Sequence, residues 1–353
     1  MSARPRVDVN LFVFNGAATI AAALDSVLAQ SWPALAVTVI DNASTDGTAE
    51  IAAAYAAEDR RVSVRRNHAN VGPVLNCQRA FWHGTADFVL PKTADDLLAP
   101  DYVATLMEVL LAHPRCVLAH AAGLVFDDAG KVRMVYPPEH LLAALGEDPV
   151  ARARHVMARY TSAPAFWGIY RRAAVDLLPA ISYRAGWDHA VLAELALYGE
   201  IRSVEALLFW RRHGGKDVAL LARGCSEWTQ RGLPLDDGLA ELRWRTPLVT
   251  TAYAHVERFA LARLDAVRRL ELMEAVPGIF RARWLPMLRQ EATAFRVVFP
   301  DLLDGVACAR GLAAQWRAKH LLEALTALDV MLPEEGFGAM RIDVASVVEN
   351  VMA

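Results

Sequence analysis

The sequence predicts an α/β fold: a mostly parallel sheet flanked by helices, followed by an all-helical C-terminal domain. Three observations predict it. Short β-branched runs alternate with helical apolar spacings from Val7 to about Ala121. Polar clusters follow several of the strand-like runs. From about Leu220 onward no stretch reads as a strand. Such alternation builds βαβ units, and their right-handed crossovers bring the loops after the strands to one edge.

Val7, Val9, Leu11 and Val13 alternate with Asp8, Asn10 and Phe12, the period-two pattern of a strand, which Asn15-Gly16 breaks. Ile20, Leu24, Val27 and Leu28 recur at helical spacing, and Pro33 ends that unit. A second strand is expected over 37–40, a polar turn over 41–47, and a helix through Ile51 and Tyr55. Val62 and Val64 mark a third strand. A helix is expected over 73–82, with Pro73 at its first position, where the missing N–H costs nothing. A strand over 88–90, a helix over 100–112 and a strand over 117–121 follow. Val125-Phe126, a turn at 128–130 and the run 132–135 read as a hairpin. Helices are expected over 149–160, 172–178 and 188–198, and strands over 201–204 and 207–210. Further helices are expected over 219–231, 236–243, 248–263, 264–275, 284–298 and 310–329, punctuated by Pro277-Gly278, Pro300 and Pro333. The change of pattern divides the chain into domains over 1–218 and 219–353.

The chain has 353 residues, 55% hydrophobic and 22% charged, which is enough apolar material for a core and excludes disorder. No apolar run approaches the roughly 18 residues of a membrane span, and the N-terminus lacks a secretory apolar region. A net charge of −3 argues against nucleic acid as a partner. Cys77, Cys116, Cys225 and Cys308 form no CxxC pair, so a zinc ribbon is excluded. Reduced thiols in the cytoplasm are expected, with the inner face of the membrane as the alternative location. From Arg243 to Arg296 there are ten Arg, no Lys and five acids, a local +5. A solvated helical surface explains this plainly. The functional reading is an anionic acceptor or membrane headgroup docking at Arg281, Arg283, Trp284 and Arg289; an oligomer is left open.

Asn15, Asp41 and Asp95 each fall just beyond a predicted strand, which places them on one rim. No GxGxxG follows the first strand and no GxxxxGK[ST] occurs, so neither glycine-rich phosphate loop is present. The rim offers Asp41, Asp46, Asp95 and Asp96 instead. Carboxylates repel phosphate unless a divalent cation, Mn²⁺ or Mg²⁺, lies between them. The paired acids thus suggest a metal-bridged nucleoside diphosphate; the plain alternative is that they cap a helix.

The run FNGAATIAAALDSVLAQSWPALAVTVIDNASTDGTAEIA resembles the opening of family 2 inverting glycosyltransferases of the GT-A fold, a Rossmann-like architecture. The resemblance continues through Asn70-Val71-Gly72, TADDLLAPDYV and GWDHAVLAELALYGEI, and closes with WRRHGG, covering about residues 7–215. It implies transfer of a sugar from a nucleotide-diphosphate donor, most often of UDP, to an acceptor hydroxyl, in surface or secreted glycan biosynthesis. The acceptor is a glycan, a lipid-linked glycan, a protein or a small molecule.

The resemblance implies the following roles, position by position. Phe12 stands where the family usually has Pro, and Asn15 closes that motif beside the nucleoside. Asp41 resembles the acid that bonds the base edge. Asn70, Gly72 and Asn76 line the nucleotide, and Arg211 or Arg212 neutralises the diphosphate, with Arg212 assigned to the nucleotide site. Asp95 is the metal ligand kept from the family's D-x-D motif, whose first acid is Thr93 here; His213 is the second. Asp188 is the catalytic base at a helix start, where the family's preceding Glu is Trp187. Trp167, Trp187 and His189 are assigned to the sugar and acceptor pocket. Two other readings are a degenerate glycosyltransferase acting as a scaffold and, less favoured, a sugar-phosphate nucleotidyltransferase, which normally needs a basic glycine-rich loop.

Overall fold

The structure is a computed structural model that describes residues 4–160, 163–180, 186–213, 247–308 and 312–352. The helices expected over 219–231 and 236–243, and the 218/219 boundary, lie outside the described residues. The described residues fall into two compact units. One comprises 4–160, 163–180 and 195–213; the other comprises 186–194, 247–308 and 312–352.

The first unit is built on a nine-stranded sheet. Its strands are β1 Val7–Val13, β2 Leu35–Asp41, β3 Val62–Arg66, β4 Phe88–Thr93, β5 Leu97–Leu98, β6 Cys116–Phe126, β7 Val132–Val135, β8 Ile169–Arg171 and β9 Glu200–Arg212. Their order is β3-β2-β1-β4-β8-β6-β9-β5, with β7 paired to β6. Its helices are α1 Ile20–Leu28, α2 Thr48–Glu58, α3 Pro73–Trp82, α4 Tyr102–Ala112, α5 Pro149–Arg159 and α6 Arg172–Val175, with the last part of α7 Trp187–Tyr198. Strands β3, β2, β1 and β4 are parallel, joined through α1, α2 and α3. Strand β8 then pairs antiparallel with both β4 and β6, so the sheet is mixed beyond β4. Strands β5 and β8 have only two and three residues, too short for periodicity to reveal.

Strand β1 is buried on both faces. Val7, Val9 and Leu11 join Ile20, Leu24, Val27 and Leu106 in the core. On the opposite face Asp8 accepts from Ala86 N–H at 2.8 Å and pairs with Arg172 at 2.9 Å, while Asn10 Nδ2 donates to Ala80 O and His83 O. Pairing of these polar groups is what makes their burial tolerable. The two strands expected over 201–204 and 207–210 are one strand, β9. Its register jumps from Ala121↔Val204 to Ala122↔Leu207, so Glu205 and Ala206 form a bulge rather than a break.

The second unit holds α8 Pro247–Leu261, α9 Ala266–Cys308, α10 Leu312–Met331 and α11 Gly338–Met352, with the first part of α7. Phe259, Phe280, Phe295, Leu325 and Phe337 are buried in it. The expected break at Pro277-Gly278 is absent: α9 continues for 43 residues through Pro277, Pro286 and Pro300. Buried Val276 and Phe280 flank Pro277, and their packing outweighs the hydrogen bond the proline removes. The interruption falls instead at Trp284, φ −128° and ψ 23°, two residues before Pro286. Across α8 and α9, Glu291 accepts from Leu248 N–H at 2.8 Å and Val249 N–H at 3.1 Å, capping α8. No helix of the described residues is long and apolar enough to cross a membrane.

Candidate functional site

The registers Val13↔Asp41 and Phe12↔Thr93 align the carboxyl ends of β1, β2 and β4, the edge where open α/β sheets take ligands. Asn15 adopts a left-handed conformation, φ 50°. Its N–H donates to Ser44 Oγ and its Oδ1 accepts from Thr45 N–H, both at 2.9 Å. Asp46 Oδ2 accepts from Ala17 N–H at 3.0 Å. The loops after β1 and β2 are thus stitched together by short polar side chains.

Asp41 is fully buried. Its Oδ1 accepts from Ser44 N–H at 3.1 Å, and its Oδ2 lies 3.2 Å from Arg66 Nε. Beside it is an asparagine network. Asn42 Nδ2 donates to Asn70 Oδ1 at 2.7 Å, and Asn42 Oδ1 accepts from Asn67 Nδ2 and Val71 N–H. Asn70 Oδ1 also accepts from Gly72 N–H, which shapes the turn into α3, with Gly72 at φ 82°. Asn76 is buried; its Nδ2 donates to Ile40 O at 3.1 Å and Val13 O at 3.4 Å, and its Oδ1 accepts from Asn67. Asn70, Gly72 and Asn76 therefore come together, with Asn76 pinning the ends of β1 and β2 from below. Asn67 and Arg66 are participants that the sequence reading did not assign.

The second cluster lies after β4. The Asp95 carboxylate is partly exposed, and among the described residues it has no hydrogen-bond or ion-pair partner. Asp96 is buried; it accepts from Thr93 Oγ1 at 2.8 Å and from Arg212 N–H at 3.0 Å. Burial, reinforced by the charge of Asp95, pushes its pKa up to about 6, against the pull of Lys92, Thr93 and the Arg212 N–H. Thr93 thus turns its hydroxyl to Asp96. Lys92 is buried beneath the loop, with its Nζ donating to Thr93 O at 2.9 Å and to Asp96 O. Burial lowers its pKa to about 8, opposed by Asp96 and Asp95. Lys92 is a further residue missing from the sequence assignment; the signal was a lysine immediately before the Thr93–Asp96 motif.

Arg212 is tied down at several points. Its Nε donates to Asp95 O at 3.2 Å, its Nη1 lies 2.9 Å from Asp128 Oδ1, and its guanidinium stacks 4.9 Å from the Phe126 ring centroid. Arg211 donates to the Tyr136 hydroxyl at 3.2 Å. His213 is exposed, and its backbone N–H donates to Phe126 O at 2.6 Å. Phe12 and Trp167 meet on the rim with ring centroids 5.9 Å apart. Among the described residues no three acidic, His or Cys side chains form a complete metal cage. A single available carboxylate still suits Mn²⁺ or Mg²⁺, which are commonly held by one or two carboxylates and completed by substrate phosphate.

Trp187, Asp188 and His189 open α7 in the helical unit. Trp187 and Asp188 are half-buried. His189 is buried, with its Nδ1 2.8 Å from His255 Nε2 and its ring near Phe280 and Trp284. Arg281, expected to meet an acceptor, bonds Glu334 at 2.8 and 3.0 Å and also Met331 O. Arg289 lies 3.4 Å from the same Glu334, and Arg283 stacks over Trp284.

Residues 9–159 match the model of glycosyl transferase family 2. Over that segment the chain resembles the family. It is 30% identical over 131 residues to EpsE of Bacillus subtilis (strain 168), named as a glycosyltransferase; the match covers 37% of this chain and 47% of EpsE. It is 26% identical over 193 residues to YibD of Escherichia coli (strain K12), an uncharacterized glycosyltransferase, covering 54% of this chain and 55% of YibD. The chain thus spans about half the length of the curated relatives it matches. Among solved structures, S. aureus TarS 1–349 in complex with UDP-GlcNAc superposes with a TM-score of 0.57 at 15% identity, covering 98% of this chain and 89% of that one. That likeness shows a shared fold.

Proposed function

We propose that this chain is a family 2, inverting, metal-dependent glycosyltransferase that moves a sugar from a nucleoside-diphosphate donor, with UDP the favoured nucleotide, to an acceptor hydroxyl in glycan biosynthesis. The observation that carries this reading is the rim after β1, β2 and β4, where the partly exposed Asp95 carboxylate sits beside the buried, paired Asp96.

Phe12, Asn15, Asn70 and Gly72 border the nucleoside in this reading. Asp41 meets the base edge with the lone pairs that Ser44 and Arg66 leave it. Asp95 and His213 would hold Mn²⁺ or Mg²⁺, which when bound offsets charge on the diphosphate. Arg212 adds a fixed cation beside it. Asp188 takes the acceptor hydroxyl proton, helped to stay ionised by its place in the first turn of α7. The acceptor oxygen then bonds the anomeric carbon from the face opposite the diphosphate. The bond to the diphosphate oxygen breaks, and the nucleoside diphosphate leaves with that electron pair. Residues 1–218 are assigned to the donor and 219–353 to the acceptor or to assembly, with the segment bearing Asp188 grouped with the helices. Trp167, Trp187 and His189 are assigned to the sugar and acceptor side.

The test is a panel of UDP-, GDP- and dTDP-sugars with and without Mn²⁺, read both as release of the nucleoside diphosphate and as thermal shift. A donor at 100 times its dissociation constant adds about 2.7 kcal/mol of stability. The expected result is Mn²⁺-dependent hydrolysis of one donor. Binding without turnover of any donor would favour the scaffold reading, which Thr93 in place of the motif's first acid, with its hydroxyl donated to Asp96, independently supports.

A further inference from the structure

Three contacts tie the segment bearing Asp188 to α8. Glu194, fully buried, pairs with buried Arg258 at 2.6 Å. His189 bonds His255, whose Nδ1 lies 2.8 Å from Thr251 O. A carbonyl only accepts, so His255 Nδ1 carries the proton and its Nε2 the lone pair; His189 Nδ1 must then be the donor. Burial holds the His255 pKa down to about 4, which keeps this ring neutral and the chain of donors in one direction. Gly186, at φ 67°, packs so closely that a Cβ there would collide with the Thr251 side chain. Thr251, His255 and Arg258 follow at helical spacings of four and three, so they share one face of α8. Glu194 stands six residues and His189 one residue after Asp188, so the two bonds grip α7 on both its first and its second turn.

We propose that Arg258 and His255 of α8 are positioning residues for Asp188: they fix the rotation and depth of the first turns of α7 and thereby the direction of its carboxylate. This rests on the reading of Asp188 as the base. A buried, two-charge clamp is a costly way to stabilise a helix, because two apolar side chains of similar volume do so as well or better. It is suited to holding geometry, and a misplacement of about 1 Å in a catalytic group can cost about 100-fold in rate.

The experiment measures kcat and donor KM for Mn²⁺-supported hydrolysis of the nucleotide sugar that the donor panel selects. Three single or double variants are compared: Asp188→Asn, the paired change Glu194→Leu with Arg258→Met, and Arg258→Lys. The paired change removes both charges of this pair together. The expected result is a melting temperature close to the parent's, an unchanged donor KM and a kcat lower by up to about 100-fold. Arg258→Lys, which keeps a cation opposite Glu194, should retain more of the rate. In the Asp188→Asn background the paired change should cost nothing further, whereas a purely structural role would multiply the two losses. If Asp188→Asn is impaired and the paired variant has parental kcat, the positioning role is overturned and the base reading stands. If Asp188→Asn itself has parental kcat, the base reading fails and takes the positioning role with it. Should the paired variant not fold, His255→Phe is judged by the same kcat, KM and background comparisons.

Discussion

An acceptor hydroxyl is a poor nucleophile until a base removes its proton in the transition state, and general bases typically contribute about 10²–10⁴-fold. Asp188→Asn keeps the size and capping ability of the side chain but not its basicity. Turnover should therefore fall by at least about 100-fold, with donor affinity and melting temperature nearly unmoved. An Asn variant with normal turnover would remove Asp188 from the mechanism. Asp95 and Asp96, adjacent in sequence, should behave differently. Asp95→Ala should abolish the Mn²⁺ dependence of donor binding without unfolding the chain, because that carboxylate has no structural partner among the described residues. Asp96→Ala should lower the melting temperature, since Thr93 Oγ1 and Arg212 N–H would lose their buried acceptor. Equal effects at both positions would show the division to be wrong. His255 gives a pH signature. Its folded-state pKa lies near 4, below its ordinary 6.5, because it is buried. Between those values the unfolded chain binds the extra proton, so this residue's contribution to stability rises with pH and is lost on acidification. His255→Phe lacks that proton site. The gap in melting temperature between parent and variant should narrow from pH 6.5 to pH 4, and a constant gap would contradict the assignment.

At the scale of elements, the asparagine network joins two strand ends to one helix. Asn76 on α3 donates to Val13 O of β1 and to Ile40 O of β2, so its removal takes a buried donor from both strand ends. Asn76→Ala should destabilise the protein by about 1–3 kcal/mol in urea unfolding. If a variant of parental stability had instead lost donor binding, Asn76 would be a direct nucleotide contact. The same region shows what sequence reveals. Strand β1, helix α3 and the rim they define were legible, because Val7 to Val13 keep a strict period and Pro73 marks a helix start. The partners of the rim residues were not. Nothing local in Asp41 shows that Arg66, 25 residues on, closes over it, and Lys92 lies beyond the strand expected over 88–90, so its burial in β4 had no local sign. In the helical unit the misleading signal was proline. Pro277 was read as a terminator because local rules cannot weigh the packing of Val276 and Phe280.

For the whole molecule, the ten arginines between 243 and 296 are the main surface question. Several are spent internally: Arg258 on Glu194, Arg281 and Arg289 on Glu334, and Arg296 on Glu335. The Glu334 pairs are substantially exposed and salt-screened, so Arg281→Ala should leave the melting temperature nearly unchanged. If the arginines serve the acceptor, the Arg281, Arg283 and Arg289 triple replacement should weaken acceptor use and leave nucleotide affinity intact. Loss of donor binding in a still-folded variant would refute that division of labour. The sheet's margins have a consequence of a different kind. A strand with one unpaired side is a template on which a second chain can add, and concentrated protein aggregates along long apolar margins. Here β3 ends in Arg65 and Arg66, and β5 is only two residues long. Strand β7, although Val132, Met134 and Val135 are exposed, has Arg133 in its middle and an irregular register against β6. Each margin is charged, short or bent, so chain-to-chain strand addition finds no straight apolar ladder to extend.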